Sequence, residues 1–183
     1  MEGEDACGIE SRCDVAQRPR RAHQQAGRLL EAEAAYQQAL TLSPHHPETL
    51  HLLGLVTYRQ QRLPEALGYL QAAIEQDASS PVYWFNFGVV SQKAGRASDA
   101  VAAYRQAIVL KPRYPEAYGN LGNALREIGH LTDAVEAYGQ ALALNPSQAD
   151  THNNLGVARK EQGDVKGAIA SYQKALELKP THI

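Results

Sequence analysis

The stretch PEAYGNLGNALREIGHLTDAVEAYGQALALNPSQ, Pro115 to Gln148, decides the fold because it recurs along the chain. In blocks of 34 starting at Cys13, Pro47, Pro81, Pro115 and Ala149, position 20 is always alanine: Ala32, Ala66, Ala100, Ala134 and Ala168. Position 27 is alanine in every block too, as Ala39, Ala73, Ala107, Ala141 and Ala175. Position 24 reads Tyr36, Leu70, Tyr104, Tyr138 and Tyr172, and position 8 of the last four blocks reads Gly54, Gly88, Gly122 and Gly156. Self-similarity at a fixed period of this size marks a stack of supersecondary units, each too small to bury its apolar face alone.

The columns have a helical meaning. Positions 4, 7, 8 and 11 are spaced as one stripe of an α-helix. In the fourth block they are Tyr118, Leu121, Gly122 and Leu125; in the third, Trp84, Phe87, Gly88 and Ser91. Positions 20, 24 and 27 form a second stripe, small–aromatic–small. Each unit is therefore expected to be two antiparallel helices, A then B, with the tyrosine entering the notch left by the glycine and the alanines. Punctuation agrees. Gly27, Gly95, Gly129 and Gly163 sit where a glycine would end helix A. Pro64 reads as a first-turn proline of helix B, and Ser98 and Thr132 read as hydroxyl N-caps. Pro44, Pro112, Pro146 and Pro180 stop helix B, and Pro47, Pro81 and Pro115 open the next helix A.

These spacings resemble the tetratricopeptide repeat (TPR) over roughly residues 20 to 180. The resemblance implies an all-α fold, an α-solenoid in which antiparallel helix pairs stack into a right-handed superhelix with an open concave groove. In the first block the helix A stripe would be Ala16, Pro19, Arg20 and His23, which cannot pack. Residues 1–18 are therefore expected to be a disordered tail, followed by a TPR array over 19–183. The array divides into a partial repeat at 19–46 and full repeats at 47–80, 81–114, 115–148 and 149–182. The 47–80 repeat is the most divergent, with Gln61, Leu70 and Ala78 at three signature positions.

Composition narrows the function. The chain is 44% apolar without a run approaching the roughly 20 residues of a membrane helix. Its start, Met1 to Asp5, is acidic, unlike a secretory signal, which points to the cytoplasm. A net charge of −2 and a pI near 6.4 argue against a nucleic-acid partner. Arg18, Arg20 and Arg21 read as a solvated helix start. Cys7 and Cys13 are too few for a disulfide scaffold or a zinc site and read as free thiols. His45, His46 and His51 read as surface histidines rather than metal ligands. There is no phosphate loop or nucleophile elbow, and Glu65, Asp99 and Asp133 are accounted for by the dipoles of B helices. No enzyme activity, cofactor or metal is expected.

The face of helix A opposite its packing stripe carries positions 2, 6, 9 and 13. Position 6 reads Leu52, Asn86, Asn120 and Asn154, with Asn123 at position 9. An asparagine amide both donates and accepts, so a ladder of them can pair with the main chain of an extended peptide. The competing reading is that these amides link successive A helices. The segments Ala117–Asn123 and Thr151–Gly156 resemble repeats of the O-linked N-acetylglucosamine transferase family, where asparagines at this position bind substrate backbone. The candidate peptide-binding residues are Asn86, Asn120, Asn123, Asn154, Leu52, Leu55, Val89, Lys93, Arg126 and Lys160, and the three ladder amides Asn86, Asn120 and Asn154 are expected to be free. The paired Lys and Asn of a chaperone-tail clamp are absent: positions 5 and 9 give His51/Leu55, Phe85/Val89, Gly119/Asn123 and Asn153/Val157. The sequence thus predicts a protein–protein interaction scaffold. Two alternatives are a self-associating module that meets a second copy through an uncapped last repeat (Ile169, Leu176, Leu178), and the substrate-recognition arm of a larger glycosyltransferase-like enzyme.

Overall fold

The computed structural model describes residues 28–180. The readings made on the 1–18 tail, Cys7, Cys13, Arg18, Arg20, Arg21 and Gly27, and on the chain end at Ile183, lie outside the described residues. Among the described residues there are nine helices and no strand. They are α1 (Leu29–Leu42), α2 (Pro47–Arg59), α3 (Leu63–Gln76), α4 (Pro81–Lys93), α5 (Ala97–Leu110), α6 (Pro115–Glu127), α7 (Leu131–Leu144), α8 (Ala149–Glu161) and α9 (Val165–Leu178). The fold is an all-α repeat. The even-numbered helices are the A helices and the odd-numbered ones the B helices. The residues form two compact units, one ending at Val90 and one beginning at Ser91, both within α4.

In the first unit, Ala32, Tyr36, Leu53 and Val56 make a core with Leu29, Leu40, Leu52 and Tyr69 against it. Glu33 lies within this packing, with its carboxylate accepting from Arg62 at 2.7 Å and Gln60 Nε2 at 2.8 Å. A buried carboxylate needs such partners, because desolvation of an unpaired charge costs more than any packing around it returns. The bonds tie α1 to the turn between α2 and α3.

In the second unit the notch is visible atom by atom. A Cβ placed on Gly122 would stand 2.6 Å from Tyr138 Cε1, and one on Gly156 2.6 Å from Tyr172 Cε1. Only glycine lets the B-helix ring come so close. Tyr104 and Tyr138 are fully buried. Ala100 and Ala134, expected to be fully buried, have no exposed surface at all, and the remaining described column alanines are all inside the core.

Helix A ends as its glycines predict. Gly95, Gly129 and Gly163 take φ of 75°, 79° and 86°, in the left-handed region where a side chain is strained. The next N–H then reaches back in a Schellman bond: Arg96 to Ser91 O, His130 to Leu125 O and Asp164 to Arg159 O, each at 2.9 Å. In the divergent repeat Gln61 takes the same conformation at φ 63°, and Arg62 bonds Thr57 O at 3.0 Å.

The start of helix B corrects the sequence reading. Ser98 and Thr132 lie one residue inside α5 and α7, whose N-caps are Arg96 and His130, without a side-chain cap bond. The Schellman bond already fixes the residue after the glycine, so that same residue becomes the N-cap and leaves no room for a later one. Asp164 alone among these turns caps with its side chain, accepting from Gly167 N–H at 2.9 Å. Helix A also buries a second stripe that was not read from the sequence. Thr49, Ala117 and Thr151 at position 3 and Val56, Val90, Ala124 and Ala158 at position 10 are all buried.

Candidate functional site

The asparagine face divides between the two units. In the first unit, Asn86 Nδ2 on α4 lies 2.7 Å from His51 Nε2 on α2. In that arrangement the amide N–H donates and the ring nitrogen accepts. His51 is only 7% exposed and stacks against Tyr83 with centroids 4.7 Å apart. It is a buried linker, which corrects its reading as a surface histidine. Around Asn86, Leu52, Leu55 and Val89 are half-buried, and Val82 is 44% exposed. This part of the face is apolar with one amide oxygen, Asn86 Oδ1, left for a ligand.

In the second unit, Asn123 Oδ1 on α6 accepts twice, from Tyr138 OH at 2.7 Å and from Asn154 Nδ2 on α8 at 3.1 Å. Burial pushes the Tyr138 phenol above its usual value, against the opposing influence of the Arg126 guanidinium. The hydroxyl therefore stays protonated at neutral pH and donates to Asn123 rather than accepting from it. The relay fixes both amides. Asn123 Nδ2 and Asn154 Oδ1 make no hydrogen bond among the described residues, and Asn120, half-buried, has no side-chain partner among them either. The expectation of three free ladder amides is corrected: Asn86 and Asn154 each spend their N–H₂ on the preceding A helix, and only Asn120 is wholly free.

The charged candidates also separate. Arg126, expected to face a ligand, has Nη1 3.1 Å from Glu161 Oε1 and so ties α6 to α8, while its Nε is buried without a partner. Lys93 and Lys160 are exposed. Glu127 accepts from Gln92 Nε2 at 2.7 Å. The Tyr138 relay and the Gln92–Glu127 and Arg126–Glu161 links were not read from the sequence. The links between A helices had a signal in spacing: Asn86–His51, Gln92–Glu127 and Arg126–Glu161 are each 35 residues apart, one repeat and one residue. Complementary side chains at that offset on successive A helices would have found them.

Among the described residues no group of three or more His, Cys, Asp or Glu side chains is placed to hold a metal ion. Among the same residues no helix is long and apolar enough to cross a membrane.

Family models for the tetratricopeptide repeat match residues 21–81 and 149–182, and a third, for the TPR repeat, matches 93–129 and 122–163. No curated protein matches the chain. Among solved structures, a crystal structure of MamA is 25% identical over 87% of this chain and 93% of that one, with a TM-score of 0.83. MamA 41-end from Desulfovibrio magneticus RS-1 is 19% identical over 93% and 96% of the two chains, at 0.87. YrrB, described as a TPR protein with an unusual peptide-binding site, is 22% identical over 89% and 84%, at 0.81. The last two show a shared fold.

Proposed function

Since tetratricopeptide repeats make up this chain over residues 21–81 and 93–182, we propose that it is a protein-interaction module that binds an extended peptide segment on the exposed face of its A helices. The observation that carries the reading is the fixed set of amide groups in the second unit. Asn123 Nδ2 and Asn154 Oδ1, held by the Tyr138 relay, and the free Asn120 amide beside them offer donors and acceptors, and a peptide main chain offers the complements at short, regular intervals. Preorganisation lowers the entropy cost of ordering them on binding. That YrrB, of the same fold, has a peptide-binding site fits this use of the architecture. The likeness to the O-linked N-acetylglucosamine transferases rests on the Asn-x-Gly triplets alone.

Two or three main-chain bonds, each worth about 0.5–1.5 kcal/mol net, give affinities of roughly micromolar or poorer unless side-chain pockets add to them. Leu52, Leu55 and Val89 offer apolar contact in the first unit, with Lys93 and Lys160 as exposed cations that tune charge preference. Random peptides displayed on phage and selected on the wild-type protein supply the ligand for the test. The Asn120→Ala/Asn154→Ala protein should stay within a few degrees of the wild-type melting temperature, because the helix propensity gained by two alanines offsets the lost Asn154–Asn123 bond. It should bind the selected peptides roughly five- to a hundredfold more weakly. N-methylation of the contacting peptide amides should cost no more in the variant than random N-methylation does. Equal affinity for wild type and variant would remove the amide face as the binding surface.

A further inference from the structure

A second surface of the second unit carries features the peptide reading does not use. Between α5, α6 and α7 lies an open cleft of about 330 Å³. Leu121, Leu125 and Ala137 form an apolar floor beside the Tyr118 ring. Arg105 and Asp133 stand at the rim, their charged groups 3.8 Å apart and both more than a third exposed. Glu136 completes the wall, with no basic partner among the described residues. Two carboxylates thus face one guanidinium over a greasy floor, and His130 Nδ1 lies 3.9 Å from Asp133. None of Asn120, Asn123 or Asn154 lines it.

The rim is particular to this pair of repeats. Position 22 is Ala34, Gly68, Ala102 and Ala170 elsewhere and Glu136 only here; position 25 is Gln37, Gln71, Gly139 and Gln173 elsewhere and Arg105 only here. A long charged residue on an otherwise small-residue column adds nothing to the packing of α7, since its side chain is exposed.

We propose that this cleft is a binding site for a single lysine or arginine side chain of a partner protein. The volume lies at the small end of ligand pockets, roughly 300 Å³ and upward, and so suits one long side chain rather than a helix or a large ligand. The aliphatic stem of a lysine or arginine lies along apolar surface while its head stays polar, and the Tyr118 ring adds attraction for a cation. Glu136 supplies the unpaired carboxylate. An anionic side chain would meet a net negative rim, and an apolar one would leave Glu136 partly desolvated without a partner.

The test uses ¹⁵N-labelled protein and capped tripeptides: acetyl-Gly-Lys-Gly-amide and acetyl-Gly-Arg-Gly-amide against the uncharged norleucine and citrulline counterparts. The cationic probes should shift the amides of Leu121, Glu136 and Ala137 with dissociation constants of about a millimolar, as expected of one contact without a surrounding interface. The uncharged probes should not saturate. Glu136→Gln should weaken the cationic probes about tenfold. Arg105→Gln, which releases Asp133, should tighten them severalfold. Equal titration by norleucine or citrulline, weaker binding by Arg105→Gln, or shifts confined to Asn120 and Asn123 would each overturn the proposal.

Discussion

Gly122 and Gly139 are both helical glycines with opposite surroundings. A Cβ on Gly122 meets the fully buried Tyr138 ring at 2.6 Å, whereas one on Gly139 meets nothing within 4 Å. Gly122→Ala should therefore force the ring off its rotamer and cost about 1–3 kcal/mol. Gly139→Ala should stabilise by about 0.5–1 kcal/mol, because it only restricts the unfolded chain and raises helix propensity. Thermal melts of the two variants should move in opposite directions; a shared direction would contradict the notch. This notch was legible in the sequence because glycine, alanine and tyrosine differ so much in volume that their columns admit one arrangement. The asparagines were not legible in the same way. Their type shows what they can bond, but whether Asn86 reaches His51, or Asn154 reaches Asn123, depends on which residue the previous repeat places within one side-chain length.

At the scale of the element, the turn from helix A to helix B is the rigid unit of the design. In all four described turns the αL residue is followed at once by a single residue that both donates the Schellman bond and serves as the N-cap of the next helix. That overlap explains why Ser98 and Thr132 are first-turn residues rather than caps. Cap chemistry alone favours a hydroxyl, but the preceding helix end sets the register first. Gln61 is the exception that tests the idea. It holds φ at 63° with a side chain whose αL conformation costs roughly 1–2 kcal/mol, and it is exposed, so little contact would be lost on truncation. Gln61→Gly should stabilise the protein by up to about 1 kcal/mol after the added chain entropy of glycine is deducted. A drop in melting temperature would mean that the Gln61 side chain contributes more than the backbone strain removes. The second buried stripe of helix A escaped the sequence reading for a related reason. Positions 3 and 10 hold Thr49, Val56, Ala117, Ala124, Thr151 and Ala158, residues unremarkable in type, and only stacking against a neighbouring repeat makes them interior.

For the whole molecule, each repeat draws stability from its neighbours, so a helix with one neighbour should differ from a helix with two. α7 packs against both α6 and α8, whereas among the described residues α9 packs on α8. The same register position records the difference: Val101 on α5 is 7% exposed, and Ile169 on α9 is 51% exposed. Val165, at 61%, extends the uncovered strip. Sub-global opening of α9 breaks one interface, and opening of α7 breaks two. Amide hydrogens in the middle of α9, around Ala168 to Tyr172, should therefore exchange at least about tenfold faster than those of α7 around Ala134 to Tyr138. Hydrogen exchange followed by mass spectrometry on the intact chain reads this directly. Equal protection of the two helices would mean either that stability is not carried from neighbour to neighbour or that something covers Ile169 in solution. Light scattering at the same concentration separates those cases: a doubled mass identifies a second copy as the cover, and a monomer mass leaves the nearest-neighbour account at fault.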